Sequence, residues 1–449
     1  MTAETTASAN QGLPPGKGVL LGLQHVLSMY ASSVALPLMI GGALGLPKAQ
    51  IAGMISAALF VGGVTTMIQS LGVGGFGIRL PIIMGVSYAG SGAIIAIGRD
   101  PRLGLAGVFG AMLIAGLLCI VLAPRLAKRM YLFPHVVVGS LLLTIGISLM
   151  DVSAHWMAGG DAVDFGHPTY LAVALGVLLG VVALLKVGRG FVQHVAVLCG
   201  IAGGTLVCAA LGLAKFEGVA QAPWVGLVVP LRWASVTFEP WSILAMSVVM
   251  LVNTIETVGV FMALSEVTGV KLYQPDIVRG FRADGLGTVL AALFNVYPYT
   301  TYSDNVGLLI VTRVRSRFIT ATAGGLLVGL ALLPKLSAVA ASVPVVVLGA
   351  VSELLFGMIC VAGIRILAKV DYDTNPANAV IVAVSVGLGT TPSFAPTIFQ
   401  SLPPQLAPLL QSGVVLTCLA AVGLNLLFNG RQSDTGVAEA SPSSSRGRR

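Results

Sequence analysis

Apolar residues occupy this chain in long blocks, separated by short polar stretches. Fourteen blocks lie at 19–44, 49–71, 81–98, 104–124, 133–150, 169–187, 192–213, 241–265, 280–297, 299–313, 318–334, 343–368, 376–391 and 405–429. Most approach the ~20 residues that a helix needs to cross a bilayer. The blocks lack the strict alternation of a half-buried strand, and each reads as a membrane span. The pattern breaks between Pro298 and Arg313. Pro298 has no backbone donor, Thr300, Thr301 and Ser303 compete for backbone groups, and Asp304 and Asn305 open a short apolar run ending at Arg313. That run is helix for only half a bilayer. Non-helical backbone at membrane depth survives only where protein or a water-filled cavity covers it, so this segment is a binding-site candidate.

Segment three has the same construction. Leu80-Pro81 leads through Gly85, Tyr88, Gly90 and Gly92 into another short apolar helix. It is the third block of the first seven, as segment ten is of the second seven. Two repeats with an odd number of spans each run in opposite directions across the membrane, so the pattern predicts an all-α polytopic membrane protein. Its 14 transmembrane segments form two inverted 7-span repeats, with short discontinuous segments 3 and 10. The half-helix N-termini then meet near the midplane, where unpaired N–H groups and a partial positive charge suit a planar ligand with carbonyl oxygens.

Composition narrows the class. Hydrophobic residues make up 56% of the chain and charged residues 9%, against about 25% charged in soluble domains. The net charge of +8 is placed in loops rather than in a nucleic-acid surface. With a cytoplasmic N-terminus and fourteen crossings, 19 Lys and Arg residues fall inside and 6 outside, which puts both termini in the cytoplasm. The polar stretch 1–17 is read as a cytoplasmic tail without a signal-peptide core, and the Ser-rich basic stretch 430–449 as a disordered one. The long outer loop 214–240 is read as a small hairpin. Cys119, Cys199, Cys208, Cys360 and Cys418 lie in apolar runs with no paired spacing, and read as small core residues. No nucleophile–base pair, phosphate-binding loop or metal-ligand cluster stands out. We therefore expect no enzyme activity, no cofactor and no metal.

Several polar residues lie within spans. A carboxylate at the depth of Glu256 costs ~2.5–3.5 kcal/mol on insertion scales, which favours a functional group over a solvated boundary residue. It can accept hydrogen bonds from ring N–H groups or exchange a proton. Asp304 can both cap the half-helix and meet a ligand. Asn305 more plausibly fixes the loop than touches a ligand. Tyr88 can stack on a planar ligand or simply pack. His25 and Asp284 are each balanced between a structural role and a role in ordering the site. Asp284 is placed near the inner end of segment nine.

These residues resemble the motifs of the nucleobase–ascorbate (nucleobase:cation symporter) transporters. Asp304-Asn305, Gly307, Thr312 and Arg313 are similar to the family's tenth-span signature. Leu23 to Tyr30, Gly85 to Ala89, and Glu256 to Gly259 resemble its first-, third- and eighth-span motifs, in the same order. Two positions depart from the pattern: Asp304 stands where Gln, Glu or Pro is usual, and Val260 where Asp or His is common. The resemblance implies substrate contacts at Glu256, Asp304, Tyr88, Ala89 and Ser303. Glu256 would be the main carboxylate, Tyr88 would stack, and Ala89 would donate its N–H. His25, Asn305, Asp284, Gly307 and Thr312 would support the site or the coupling.

The same resemblance implies a first repeat at 18–213 and a second at 241–429. A core domain would comprise 18–124 plus 241–334, and a gate domain 133–213 plus 343–429. It further implies a homodimer in the cell inner membrane, in contact with lipid and with no nucleic-acid partner. The expected activity is proton-coupled import of a purine nucleobase, xanthine or uric acid, by an elevator-type mechanism. The alternatives are a uracil permease of the same family and, from another class, an anion exchanger or channel of the same fold. The wording of the first and third spans favours purine, while the acid at 304 leans towards uracil.

Overall fold

The computed structural model describes residues 15–129, 132–160, 162–188, 196–214, 216, 218–302, 309, 315–395, 397–399, 401–403 and 406–430. Helices α1 (Pro15–Ala43) and α2 (Lys48–Leu71) lead into strand β1 (Met84–Val86), a 3-10 turn (Tyr88–Gly90) and the short helix α3 (Ser91–Gly98). Then follow α4 (Gly104–Lys128), α5 (His135–Met157), α6 (Pro168–Val187) and α7 (Ala196–Ala210). The second half opens with α8 (Pro240–Thr268), α9 (Gln274–Leu293) and strand β2 (Tyr299–Thr301). It closes with α10 (Arg317–Ala331), α11 (Pro334–Ala341), α12 (Val345–Leu367), α13 (Ala377–Phe394), α14 (Ala407–Leu410) and α15 (Gly413–Asn429).

Among the described residues, eight helices are long and apolar enough to cross a membrane, or nine if α10 and α11 form one bent span. Prolines set many of their starts. Pro168, Pro240 and Pro334 open α6, α8 and α11, and Pro47, Pro134 and Pro344 immediately precede α2, α5 and α12. Proline suits the first turn because the N–H it lacks has no partner there. Glu239 caps α8 with its carboxylate, accepting from the N–H groups of Trp241 (3.1 Å) and Ser242 (2.6 Å).

The helices pack through glycine. A Cβ on Gly324 of α10 would lie 2.7 Å from the Gly63 carbonyl oxygen of α2. One on Gly116 of α4 would lie 2.8 Å from the Gly285 oxygen of α9, and one on Gly285 the same distance from the Gly116 oxygen. Gly349 and Gly363 of α12 press equally closely on the backbone of α5, and Gly413 of α15 on that of Gly389 in α13. Within a bilayer, helix association relies on close backbone approach rather than on hydrophobic exclusion, and small residues permit it.

The structure corrects several sequence boundaries. Block 81–98 contains only eight helical residues, because β1 and the turn take its first half. Block 280–297 becomes a helix six residues earlier, from Gln274, whose polar first turns read as loop. This places Asp284 in the middle of α9 rather than near its end. Block 318–334 breaks at Pro334, where α10 and α11 bend by 83°. Block 405–429 is broken between α14 and α15, where the Ser412 hydroxyl caps the latter by accepting from Val415 N–H at 3.4 Å. No strand forms among the described residues of 214–240. Instead of a hairpin, this stretch is tied to neighbouring helices: Leu231 N–H donates to Leu293 O (2.7 Å) and Thr237 N–H to Ala106 O (2.9 Å). Buried Asn295 clamps it further, accepting from Trp233 N–H (2.9 Å) and donating to Ala234 O (2.9 Å). Cys199 is exposed, unlike the other four cysteines.

The α2–α10 seam can be tested with its own control. Gly63→Val would press a side chain into the Gly324 backbone and should cost ~1–3 kcal/mol. The readout is a lower melting temperature of the detergent-solubilised protein. Gly325→Val, facing open space on the same α10, should leave it unchanged.

Candidate functional site

The site is assembled where the two interrupted segments meet. β1 and β2 pair antiparallel, with Met84 opposite Thr301, Gly85 opposite Thr300 and Val86 opposite Tyr299. Two further bonds extend the ladder: Ser87 N–H donates to Pro298 O (2.7 Å) and Tyr302 N–H to Ile83 O (3.0 Å). Extended backbone in an apolar interior must find such partners, and here each segment supplies the other's. Met84 N–H donates outward to Thr66 Oγ1 (2.9 Å), and Tyr299 N–H to Thr288 Oγ1 (3.1 Å). Tyr299 also donates its hydroxyl to Ala58 O, and Tyr302 donates to Val86 O (3.1 Å). Gly85 is required here because a Cβ would fall inside the Tyr302 ring.

Helix α8 lays a polar stripe against this pair. Asn253 and Thr257, one turn apart and both fully buried, lie on the same helix face. Asn253 Oδ1 accepts from Ser87 Oγ (2.7 Å). Thr257 donates to Asp284 Oδ2 (2.6 Å), and Thr257 Oγ1 lies 3.4 Å from Thr300 Oγ1. Asp284 is fully buried and also accepts at Oδ1 from Thr301 (3.4 Å) and Gln69 (3.4 Å). Gln69 in turn accepts Ile78 N–H at 3.2 Å and lies 3.4 Å from Gly280 O. The Asp284 carboxylate therefore gathers α2, α8, α9 and β2 around one point.

Glu256 is placed differently. It sits on the flank of this stripe and is only half-buried. Tyr88 is also half-buried, held at its hydroxyl by donation to Ser32 O (2.6 Å) and at its ring by an edge contact with Phe356 of α12, 5.5 Å between centroids. Ala89 is buried, and its N–H is directed to Ser87 Oγ (3.2 Å) rather than left open. His25 is buried in α1, two turns before Ser32. Tyr88, Ala89, Glu256 and Asp284 thus collect around the β1–β2 pair. Ser303, Asp304, Asn305, Gly307 and Thr312 lie outside the described residues. A cavity of about 440 Å³ lined in part by Lys48, Arg232 and Trp233 contains none of these residues and no acid. Among the described residues, no group of three or more His, Cys, Asp or Glu side chains is placed to hold a metal.

Asn253, Thr257, Gln69, Ser87 and Phe356 were not singled out from the sequence. For Asn253 and Thr257 the signal was present: they flank Glu256 in an otherwise apolar block. For Phe356 nothing in the sequence distinguishes it from any other apolar residue of α12.

A polytopic membrane protein built on two interrupted, mutually paired segments is the architecture of a transporter. A model of the Permease family matches residues 16–398, and the chain belongs to that family. The resemblance read from the motifs is thereby borne out. The chain is similar to the uric acid transporter UacT of Escherichia coli strain K12, with 43% identity over 440 residues, 98% of this chain and 91% of that protein. It is 37% identical over 415 residues to the xanthine permease of Bacillus subtilis strain 168, covering 92% and 94% of the two. The relatives are transporters and permeases by name, and this protein is a permease rather than an enzyme. Among solved structures, the transmembrane domain of the cyanobacterium bicarbonate transporter BicA aligns with a TM-score of 0.60 at 16% identity, over 92% of this chain and 99% of that one. SLC26A9 aligns at 0.64 and 11% identity, over 91% and 66%. These two share its fold.

The Asp284 hub gives a stability prediction. Asp284→Leu would leave Thr257, Thr301 and Gln69 without their shared acceptor, and each buried unsatisfied group costs ~1–3 kcal/mol. Thermal unfolding in detergent should show a much larger fall for Asp284→Leu than for Asp284→Asn, which keeps one acceptor oxygen. Equal falls would remove the acceptor role.

Proposed function

We propose that this permease imports an oxidised purine, xanthine or uric acid, in symport with protons across the inner membrane. The observation that carries the substrate class is similarity, over nearly the whole chain, to proteins named as uric acid and xanthine transporters. The site's division of labour agrees with it. Asp284 is committed to internal donors, whereas Glu256, partly buried beside the paired strands, has no such donor among the described residues. Glu256, with Asp304, would accept ring N–H groups of the base. The half-helix N-termini would donate to its carbonyl oxygens, and Tyr88 and Ser303 would complete the contact. Taking up a proton would relieve Glu256 of the cost of an uncompensated charge at membrane depth. His25, Asn305, Gly307 and Thr312 would hold the site in shape.

Fourteen spans in two inverted repeats remain our reading of the architecture, and the helix seams support it. An inverted repeat equates span 2 with span 9 and span 4 with span 11. It therefore turns the α4–α9 contact into the α10–α2 contact, and glycine backbones meet in both. The seams also separate into the proposed domains: α2–α10 and α4–α9 fall within the core, α5–α12 and α13–α15 within the gate. An elevator-type movement of core against gate would carry the base across. In this reading both termini are cytoplasmic and the protein is a homodimer.

The test is uptake of radiolabelled xanthine into cells lacking their own permeases, with urate, hypoxanthine, guanine and uracil as competitors, with and without a protonophore. Uptake blocked by urate but not uracil, and abolished by the protonophore, is expected. Glu256→Gln and Asp304→Ala, expressed at normal levels, should each lower uptake by ~10-fold or more, the worth of one hydrogen bond to a charged group. Normal uptake by both variants would overturn the site assignment. Competition by uracil without xanthine uptake would overturn the substrate.

A further inference from the structure

We propose that Asn253 is a positioning residue for this site. It fixes Ser87 and, through Ser87, the Ala89 N–H and the Tyr88 ring, and so takes part in selecting the base. The inference rests on the transport reading above.

Asn253 is fully buried on α8, one turn before Glu256. Its side chain contacts both interrupted segments. Oδ1 accepts from the Ser87 hydroxyl at 2.7 Å, and Nδ2 lies 3.5 Å from Tyr299 O in β2. Among the described residues, this amide also lies 3.8 Å from Met250 Sδ. Asn253 is thus the side chain that ties segment three, segment ten and the Glu256 helix together.

The bond lengths distinguish a positioning role from simple adhesion between helices. A carboxamide offers two donor hydrogens and one acceptor oxygen. An amide placed only to satisfy stray backbone carbonyls would make its short bonds through the donors. Here the donor contacts are long, and the one short bond runs from Ser87. A serine hydroxyl has a single hydrogen, and directing it at Asn253 fixes where its lone pairs point. One of them receives the Ala89 N–H at 3.2 Å. Removing the Asn253 oxygen frees the Ser87 side chain to change rotamer, and the Ala89 N–H loses its anchored acceptor. Tyr88 lies between Ser87 and Ala89, so the same loss loosens the backbone that carries its ring. Its hydroxyl and ring edge stay pinned by Ser32 and Phe356. The expected result is therefore altered selection rather than collapse.

The experiment compares the wild type with Asn253→Ala, Asn253→Asp, Ser87→Ala and the Asn253→Ala/Ser87→Ala pair. Uptake kinetics and the order of five competing bases (xanthine, urate, hypoxanthine, guanine and uracil) are measured in cells, and hydrogen–deuterium exchange over residues 84–90 on purified protein without substrate. Asn253→Ala should raise the apparent KM by about tenfold, the worth of roughly one hydrogen bond, with the maximal rate per folded protein preserved and the competitor order changed. Ser87→Ala should do the same, and the pair should do no more than either alone, because both break one chain of bonds. Asn253→Asp, which keeps an acceptor for Ser87, should recover the wild-type competitor order. Exchange over 84–90 should be faster in Asn253→Ala. Faster exchange with unchanged KM and competitor order would reduce Asn253 to a fold contact and overturn the proposal. Additive effects, or unchanged exchange, would overturn it too. If the wild type takes up none of the five bases, the transport reading fails on its own, and the exchange comparison still decides whether Asn253 controls the segment.

Discussion

The structure depends on the pairing of β1 with β2. Each is a few residues of extended backbone set among helices in a chain built to lie in lipid, where water cannot satisfy an N–H or a carbonyl. Neither could stand there alone. Together they use up their inward-facing groups, and the Thr66 and Thr288 hydroxyls take two that point outward. The cost of interrupting a span is thus met by interrupting two and setting them face to face. What a continuous helix would hide is thereby brought to the interior: extended backbone, and the start of the short helix α3.

Around that pair, the two described carboxylates of the site have opposite situations. Asp284 is enclosed by hydroxyls and an amide from three other elements, and behaves as the fastener of the core. Glu256 lies on the edge of the α8 stripe and is only partly buried, with no hydrogen bond to its carboxylate among the described residues. Both residues come from apolar blocks, so the difference arises from the helix face each occupies and from its neighbours. Thr257, next to Glu256 in the chain, points its hydroxyl at Asp284, which fixes the rotation of α8 and thereby aims Glu256 away from the fastener.

The legible part of this was what depends on composition and period. The apolar blocks are long enough that α2, α4, α6 and α12 fall close to where the pattern puts them, and the two segments that broke the pattern are the two that pair. Illegible features were those decided by partners far along the chain. The pairing partner of β1 lies some two hundred residues away, and no local signal gives its register. Helix α9 begins in a polar turn that reads as loop, because its first residues are stabilised by capping, with Tyr273 N–H donating to Asp276, rather than by burial. The break at Pro334 was visible as a proline but not as a bend, since proline opens a helix as readily as it ends one. Asn253 illustrates the intermediate case. Its polarity in a span was plain, while its role needed Ser87 beside it.

The glycine seams bear on how such a protein can move and stay folded. Where a carbonyl oxygen lies under 3 Å from the place of a missing Cβ, as between Gly116 and Gly285, two helices are in backbone contact and have no slack to slide without lifting apart. Such seams join α2 to α10 and α4 to α9 on one side, and α5 to α12 and α13 to α15 on the other. Between the groups, the Tyr88–Phe356 contact is of another kind: ring edge to ring face, at 5.5 Å. Aromatic pairs of this sort contribute only ~0.5–1.5 kcal/mol beyond their burial and tolerate several geometries. A movement of the proposed core against the proposed gate would therefore leave the glycine seams intact and break contacts of the Tyr88 type. Because Tyr88 lies two residues beyond the end of β1, that boundary runs along the side of the proposed site, and a ligand seated beside Tyr88 would alter the contact that the movement must break.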